Sequence, residues 1–412
     1  MLRENTPTKV WNRGYILIFI ANLFQHMGQQ TITSLVPKYA SSMGATAAVV
    51  GVVSGIFAIS ALAIRPVASP AFDCFRKRNI YLLATIILIC SYTVFYFAPN
   101  VNWLIAGRLL QGVGIGMTAP ISLSIACDNL PEGSFAKGVS FFSLGQAFGQ
   151  AVGPSIGLSL SRTYGYKTTF LACLGAMTVC LVIGFFVYSK PAPEDARYRI
   201  RFDTIIAKEA IPAAITMTFL NIPYACIGGF LLIYANDTLG ITSIGTYYTV
   251  YAIGILILRF VTGGLADKFG YRKVLVPSMM CFAVTFIMFS VSKSITGFIV
   301  AAVFSALGYG VALPNLQALC MTSVPAEKRG VGSNTFFLGQ DLGQFSGPYL
   351  AGLLADSLIR SRNGGTLEGA SNAVKASAYS TMYLVIIISL VIAITLVFLI
   401  TKNKAKAAAD RK

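Results

Sequence analysis

The chain is short of charge, and of negative charge above all. Of its 412 residues 15 are Asp or Glu, one is histidine and two are tryptophan. Charged residues make up 11%, against about 25% in ordinary soluble domains. Hydrophobic residues make up 55% and the mean hydropathy is +0.70. This balance excludes a soluble enzyme and a disordered protein, the latter because disorder needs low hydrophobicity. One histidine leaves little for a histidine-based metal site. The eight cysteines form no CxxC pair, so neither a disulfide framework nor a zinc site is indicated. There is no HExxH, GxSxG or phosphate-binding GxxxxGK[ST] signature in a suitable context, which argues against intramembrane hydrolysis and nucleotide-driven work. The net charge of +17 invites a nucleic-acid partner. Basic loops on one side of a membrane are the simpler source, and no nucleic-acid partner is expected.

What the chain has instead is apolar runs. Twelve are read, at 14–37, 46–69, 79–98, 102–126, 136–160, 167–188, 209–234, 244–266, 273–291, 295–321, 330–356 and 377–401. Most are long enough to cross a hydrocarbon core of about 30 Å as a helix. The fold class expected is therefore an all-α membrane protein. The first run is full-length and lacks a small-residue cleavage site, so it reads as a span and not as a signal peptide. With a cytoplasmic N-terminus, the outer segments hold Lys38, Arg162, Lys167, Lys293, Arg360, Arg362 and Lys375. Arg65, Arg108 and Arg259 lie in spans, and every other Lys or Arg lies on the inner side. This asymmetry predicts both termini cytoplasmic in a multi-pass protein of the cell (inner) membrane.

The sequence repeats itself at an offset of 194 residues. Arg65 and Arg259, Asp73 and Asp267, Arg78 and Arg272, Gly114 and Gly308, Pro120 and Pro314, Gly149 and Gly343, Gly153 and Gly347, and Pro154 and Pro348 all coincide. The matches fall at equivalent places in two sets of six spans. Two pseudo-symmetric six-helix bundles, 1–188 and 209–412, are expected around a polar cytoplasmic linker at 189–208. Paired bundles with a site between them are a transporter architecture.

Three motifs narrow the reading. The loop Gly263-Gly264-Leu265-Ala266-Asp267-Lys268-Phe269-Gly270-Tyr271-Arg272-Lys273 resembles the GxLaDrxGrk signature of the major facilitator superfamily. Ser69 to Arg78 keeps Asp73 and the basic residues, with Ser69 and Arg76 where the signature has glycine. Leu104-xxx-Arg108-xx-Gln111-Gly112-x-Gly114 is similar to the family's second motif. Gly149-xxx-Gly153-Pro154-xx-Gly157 is similar to the motif of its proton-coupled antiporters, although Leu158 replaces the final glycine. The resemblance covers the whole chain. It implies the twelve-span drug/proton antiporter and efflux permease branch.

The candidate residues follow from position and chemistry. Asp73, Arg78, Asp128, Asp267 and Arg272 are expected to form an inner gate, Arg78 pairing with an acid such as Asp128. Gly149, Gly153, Gly343 and Gly347 should let helices approach closely, with Pro154 and Pro348 kinking them. Asn22, Gln25, His26, Gln29, Gln30 and Thr33 lie mostly on one face of the first span. Such a face is costly against lipid and is expected to line a cavity. His26 is the sole histidine, and its unperturbed pKa near ~6.5 suits proton exchange; the alternative is a neutral ring that only hydrogen-bonds. Arg108 has Ala302 at its repeat position, and an intramembrane arginine should face a wet cavity or a partner. Asp341 sits about 16 Å into its span where the repeat has Ala147. It handles protons or forms a static ion pair, Arg259 being one partner. Asp341, Arg108 and His26 are thus the proton-coupling candidates. The substrate-lining set is Asn22, Gln25, His26, Gln29, Arg108, Gln111, Gln146, Asn221, Tyr224, Tyr251, Tyr309 and Gln344, with Met117, Gln150, Tyr247, Asn315 and Gln340 beside them.

The expected activity is proton-coupled export of a small organic or drug-like solute by alternating access. The partners expected are the solute, protons and the bilayer; the protein is expected to act as a monomer, with no cofactor or metal and no enzymatic activity. Proton symport or uniport of a sugar or organic acid is the nearest alternative. A lipid flippase or a non-transporting sensor is the alternative of another class.

Overall fold

A computed structural model describes residues 9–131, 135–189, 206–262, 269–321, 323–324 and 329–409. Among the described residues the secondary structure is helical, without β-strand. The helices are α1 (Arg13–Ser42), α2 (Ala47–Cys74), α3 (Lys77–Phe97), α4 (Val101–Asp128), α5 (Phe135–Phe186), α6 (Ile211–Leu232), α7 (Gly245–Thr262), α8 (Tyr271–Val291), α9 (Ile295–Ser305), α10 (Val311–Met321), α11 (Arg329–Arg362) and α12 (Asn372–Ala409). The labels are not a count of spans. Two expected spans, 136–160 and 167–188, share the one helix α5, bent where Gly165 adopts φ 84° and ψ 167°, a conformation that only glycine tolerates readily. One expected span, 295–321, is a continuous helical run in which α9 and α10 are joined by a π-helical turn at Ala306–Gly310, and Ile295–Cys320 is long and apolar enough to cross a membrane. A second π-helical turn, Ile233–Thr238, extends α6.

Eight helices among the described residues are long and apolar enough to cross a membrane. α1 and α11 are not among them, and the reason is their sequence. α1 carries Asn22, Gln25, His26, Gln29 and Gln30, and α11 carries Asn334, Gln340, Asp341 and Gln344. A helix with so polar a face can cross lipid only if neighbouring protein or a water-filled cavity covers that face.

The chain divides into two compact units, one of residues 1–36 and 59–200, the other of residues 37–58 and 201–412. In the first unit, α3 and the second arm of α5 are peripheral. Their apolar windows are 44% and 33% buried, against 61% for α4. In the second unit the equivalent helices behave alike: 39% for α8 and 28% for α12, against 67% for the run Lys208–Thr238 around α6. The peripheral helices expose apolar side chains, among them Leu83, Ile86, Val179, Val182, Met280, Ile287, Ile388 and Val391. A continuous apolar surface of this kind marks contact with lipid or protein, not with water.

The repeat is realised contact by contact. Gly114 of α4 packs against Leu88 of α3, and its equivalent Gly308 packs against Phe282 of α8, at the position equivalent to Leu88. Ser91 donates to the Gly107 carbonyl at 2.7 Å, and its equivalent Thr285 donates to the Ala301 carbonyl at 3.4 Å. Asn100 caps α4 through the Trp103 N–H, and Ser294 caps α9 through the Gly297 N–H. Different residue types thus perform the same capping task at matching places, both being good N-caps.

Candidate functional site

In the first unit, a glycine seam on α5 brings α1 against it. A Cβ added at Gly149 would lie 2.6 Å from the His26 Cβ, and one at Gly153 would lie 2.9 Å from the Gln30 Cβ and the Met27 carbonyl. The polar face of α1 is thereby held at short range from its neighbours. Asn22 donates to the Phe142 carbonyl of α5 at 3.1 Å, and Gln25 donates to Thr118 Oγ1 of α4 at 2.8 Å. These two amides are buried in interhelical bonds. His26 is buried with its Nε2 unpartnered. Gln29 and Gln146 are half-buried, and the Gln150 side chain lies outside the described residues.

Arg108 is fully buried in α4. Its Nη1 donates to Gln111 Oε1 at 2.9 Å, one helical turn along. Its Nη2 reaches the carbonyls of Ile32 at 3.3 Å and Thr33 at 3.4 Å. The guanidinium is therefore held by neutral acceptors on α1 and on its own helix. Gln111 is equally buried, and its Nε2 has no hydrogen-bond partner. The arrangement presents a fixed cation and an amide on one face of α4, with the Tyr92 hydroxyl of α3 beside them. Such a face can recognise an acceptor or an anionic group.

The second unit has a different interior. Asn221 of α6 is fully buried. It donates to the Gln340 carbonyl at 2.8 Å and to Gln344 Oε1 at 3.3 Å, both on α11, and it accepts from the Tyr309 hydroxyl at 2.9 Å. Tyr309 lies within the π-helical turn, and its ring stacks on Tyr224 with centroids 3.9 Å apart and planes 4° apart. Tyr251 stacks on Tyr247 at 6.2 Å. Tyr247 shares a hydrogen bond of 2.8 Å with Ser305, which donates to Thr285 at 3.2 Å. Asn315, expected to line a cavity, directs its amide to the Val311 carbonyl of its own helix. Asp341 is half-buried on α11, whereas the Arg259 side chain lies outside the described residues. Gly339, Gly343 and Gly347 face the backbone of α6 at Ala214, Thr218 and Ile222. The seam equivalent to α1–α5 is therefore α6–α11. The π-helical turns gave no signal in the hydropathy pattern, because they alter hydrogen-bond register and leave composition unchanged.

The gate expectation needs one correction. Asp128, at the end of α4, pairs with Lys77, whose Nζ lies 2.9 Å from both carboxylate oxygens. Arg78 is the next residue of α3 and so points about 100° away. Its Nη1 is 3.5 Å from the Phe185 carbonyl of α5. Arg272 lies 4.0 Å above the ring of Phe398. The Asp73 side chain and Asp267, with the loop 263–268, lie outside the described residues.

The family model described as Major Facilitator Superfamily matches residues 18–220 and again 213–412. The chain is 21% identical to the multi-drug resistance efflux pump PmrA of Streptococcus pneumoniae over 372 residues, covering 83% of this chain and 90% of the pump. It is 23% identical to the staphylopine export protein of Staphylococcus aureus over 363 residues, covering 83% and 89%. Among solved structures, a bacterial homolog of the human lysosomal transporter Spinster superposes with a TM-score of 0.78 at 16% identity, covering 95% of this chain and 97% of that one.

Proposed function

Given that the chain belongs to the major facilitator superfamily, and so is a multi-pass membrane transporter of small molecules and not an enzyme, we propose that it is a proton-coupled antiporter exporting a small organic solute. In this reading twelve spans form two six-helix bundles, 1–188 and 209–412, joined by the linker 189–208. Both termini face the cytoplasm, and one copy suffices. The observation that carries the proposal is the buried Arg108–Gln111 pair. An ionised side chain within the hydrocarbon depth is costly, so a buried arginine fixed by Gln111 and by two α1 carbonyls is a feature that binding or coupling would repay. The amides and tyrosines around Asn221 then supply polar and apolar contacts to the same solute. Two relatives named as an efflux pump and an export protein support the outward direction.

Asp341 is assigned the proton. Ionised, it leaves the cavity competent for solute from inside. Protonated from outside, it favours solute release there. A binding screen by thermal shift, covering sugars, carboxylates, amines and drugs, identifies a solute because a specific ligand raises stability by mass action. Purified protein in vesicles is then given an imposed pH gradient. Solute should move against the direction of proton flow, and Asp341→Asn should abolish the response to the gradient. Unchanged pH-driven flux in that variant overturns the proton assignment. Solute moving together with protons overturns antiport in favour of symport.

A further inference from the structure

Residues 37–58, the end of α1 and the start of α2, pack within the second unit. α1 ends at Ser42, and Gly44 turns the chain at φ 86°. The N-terminus of α2 then needs acceptors for its first N–H groups. Thr46 Oγ1 lies 3.4 Å from the Val49 N–H. The Ala47 and Ala48 N–H groups go to a distant residue: they donate to Oδ1 and Oδ2 of Asp356 on α11, each at 2.9 Å. Asp356 is buried, with 8% of its surface exposed. Lys38, also buried, pairs with Asp237 at 3.3 Å, and Asp237 and Asp356 both lie near Tyr379. Beneath these bonds α2 and α11 touch through backbone. Gly51 meets Pro348, Gly55 meets Phe345, and Gly352 meets Ala47 and Ala48.

We propose that Asp356, seconded by the Lys38–Asp237 pair, is a reversible latch holding the 37–58 hairpin to α11 within the second unit. This rests on the alternating-access reading, in which that hairpin lies at the outer side. Three features favour a latch over a permanent joint. Both halves of the polar contact can exchange it for water when parted, so the net gain from closure is small. The seam below sets glycines of each helix against backbone of the other. The device also has no counterpart: Arg162 occupies the repeat position of Asp356, so one half of the molecule carries it alone.

The test is amide hydrogen exchange on the full-length protein in lipid nanodiscs, without solute or pH gradient. It is read for wild type, Asp356→Ala, Asp356→Asn and Lys38→Gln. The latch predicts faster exchange, by about tenfold in Asp356→Ala as for loss of a side-chain cap. The increase should extend over the whole of 37–58 and over 345–352 on the facing helix, with residues 98–102 unchanged. Asp356→Asn and Lys38→Gln should open the same two segments to a smaller extent, and they carry the test if the alanine variant does not fold. An increase confined to the first turn of α2, residues 46–50, makes Asp356 a local cap and overturns the proposal. So does wild-type exchange in both milder variants. Because no transport is measured, a failure of the antiport reading leaves this outcome legible.

Discussion

Arg108 and Gln111 of the first unit stand where Ala302 and Ser305 stand in the second. Some of the packing around them is shared: Gly114 of α4 meets Leu88 of α3, Gly308 of the π-helical turn meets Phe282 of α8, and Ser91 and Thr285 donate to equivalent carbonyls. The side chains have diverged completely. One unit buries a cation held by an amide and two carbonyls. The other buries a neutral chain, Tyr247 to Ser305 to Thr285. The helix has diverged as well. α4 runs unbroken from Val101 to Asp128, whereas its partner is interrupted by the π-helical turn that carries Tyr309 where the first unit has Ile115. The scaffold is thus repeated and the chemistry is divided. Packing positions stay symmetric because each glycine seam is needed twice, while the buried charge is present once.

The comparison breaks most severely if a shared seam is filled. A Cβ at Gly343 would lie 2.5 Å from the Thr218 carbonyl, and one at Gly149 would lie 2.7 Å from the His26 carbonyl carbon. Gly343→Val and Gly149→Val should each cost about 3 kcal/mol or more, since backbone cannot yield as a side chain does. Both should appear as lost folded yield on size exclusion. A large loss in only one would show that the seams are not equivalent. Next in size is Arg108→Met, which removes the charge and keeps the length. Replacing a buried ion by an apolar residue is often neutral for stability, so the melting temperature should stay within a few degrees. Solute flux should fall about 100-fold, as when a desolvated charged contact of ~3 kcal/mol is lost. A melting temperature lowered by many degrees, with flux per folded molecule unchanged, would make Arg108 structural.

Much of this was legible in the residues, and what was not has physical reasons. Apolar run length and the 194-residue offset follow from composition and spacing, so the helical repeat could be read directly. The polar face of α1 could also be read. Its internal bonding could not, because a period of 3.6 residues does not say which neighbour meets which amide. Asn22 and Gln25 turn to α5 and α4, and Asn315 turns to its own backbone. The motif points to Arg78, whereas helical rotation decides which of two adjacent cations reaches Asp128, and that is Lys77. Asp356 was invisible for a simpler reason. Its partners are two backbone N–H groups, and backbone carries no sequence.

Two smaller changes sharpen the contrast further. Tyr309→Phe removes the hydroxyl that donates to buried Asn221 at 2.9 Å and keeps the ring on Tyr224. A lost neutral hydrogen bond is worth about 1 kcal/mol, so stability should fall by that amount. Solute affinity should weaken roughly fivefold if the Asn221 network orients the solute, and isothermal titration separates the two readouts. The smallest effect belongs to the Lys77–Asp128 ion pair. Lys77 and Asp128 keep side-chain exposures of 23% and 13%, so water screens them in part, and Lys77→Gln should cost no more than about 1 kcal/mol. Arg78→Gln should cost less, because that side chain is joined only to the Phe185 carbonyl at 3.5 Å among its described side-chain contacts. Reversal of this order in thermal unfolding would return the gate role to Arg78. Equal effects would mean that both cations act through their summed charge and not through a particular pair.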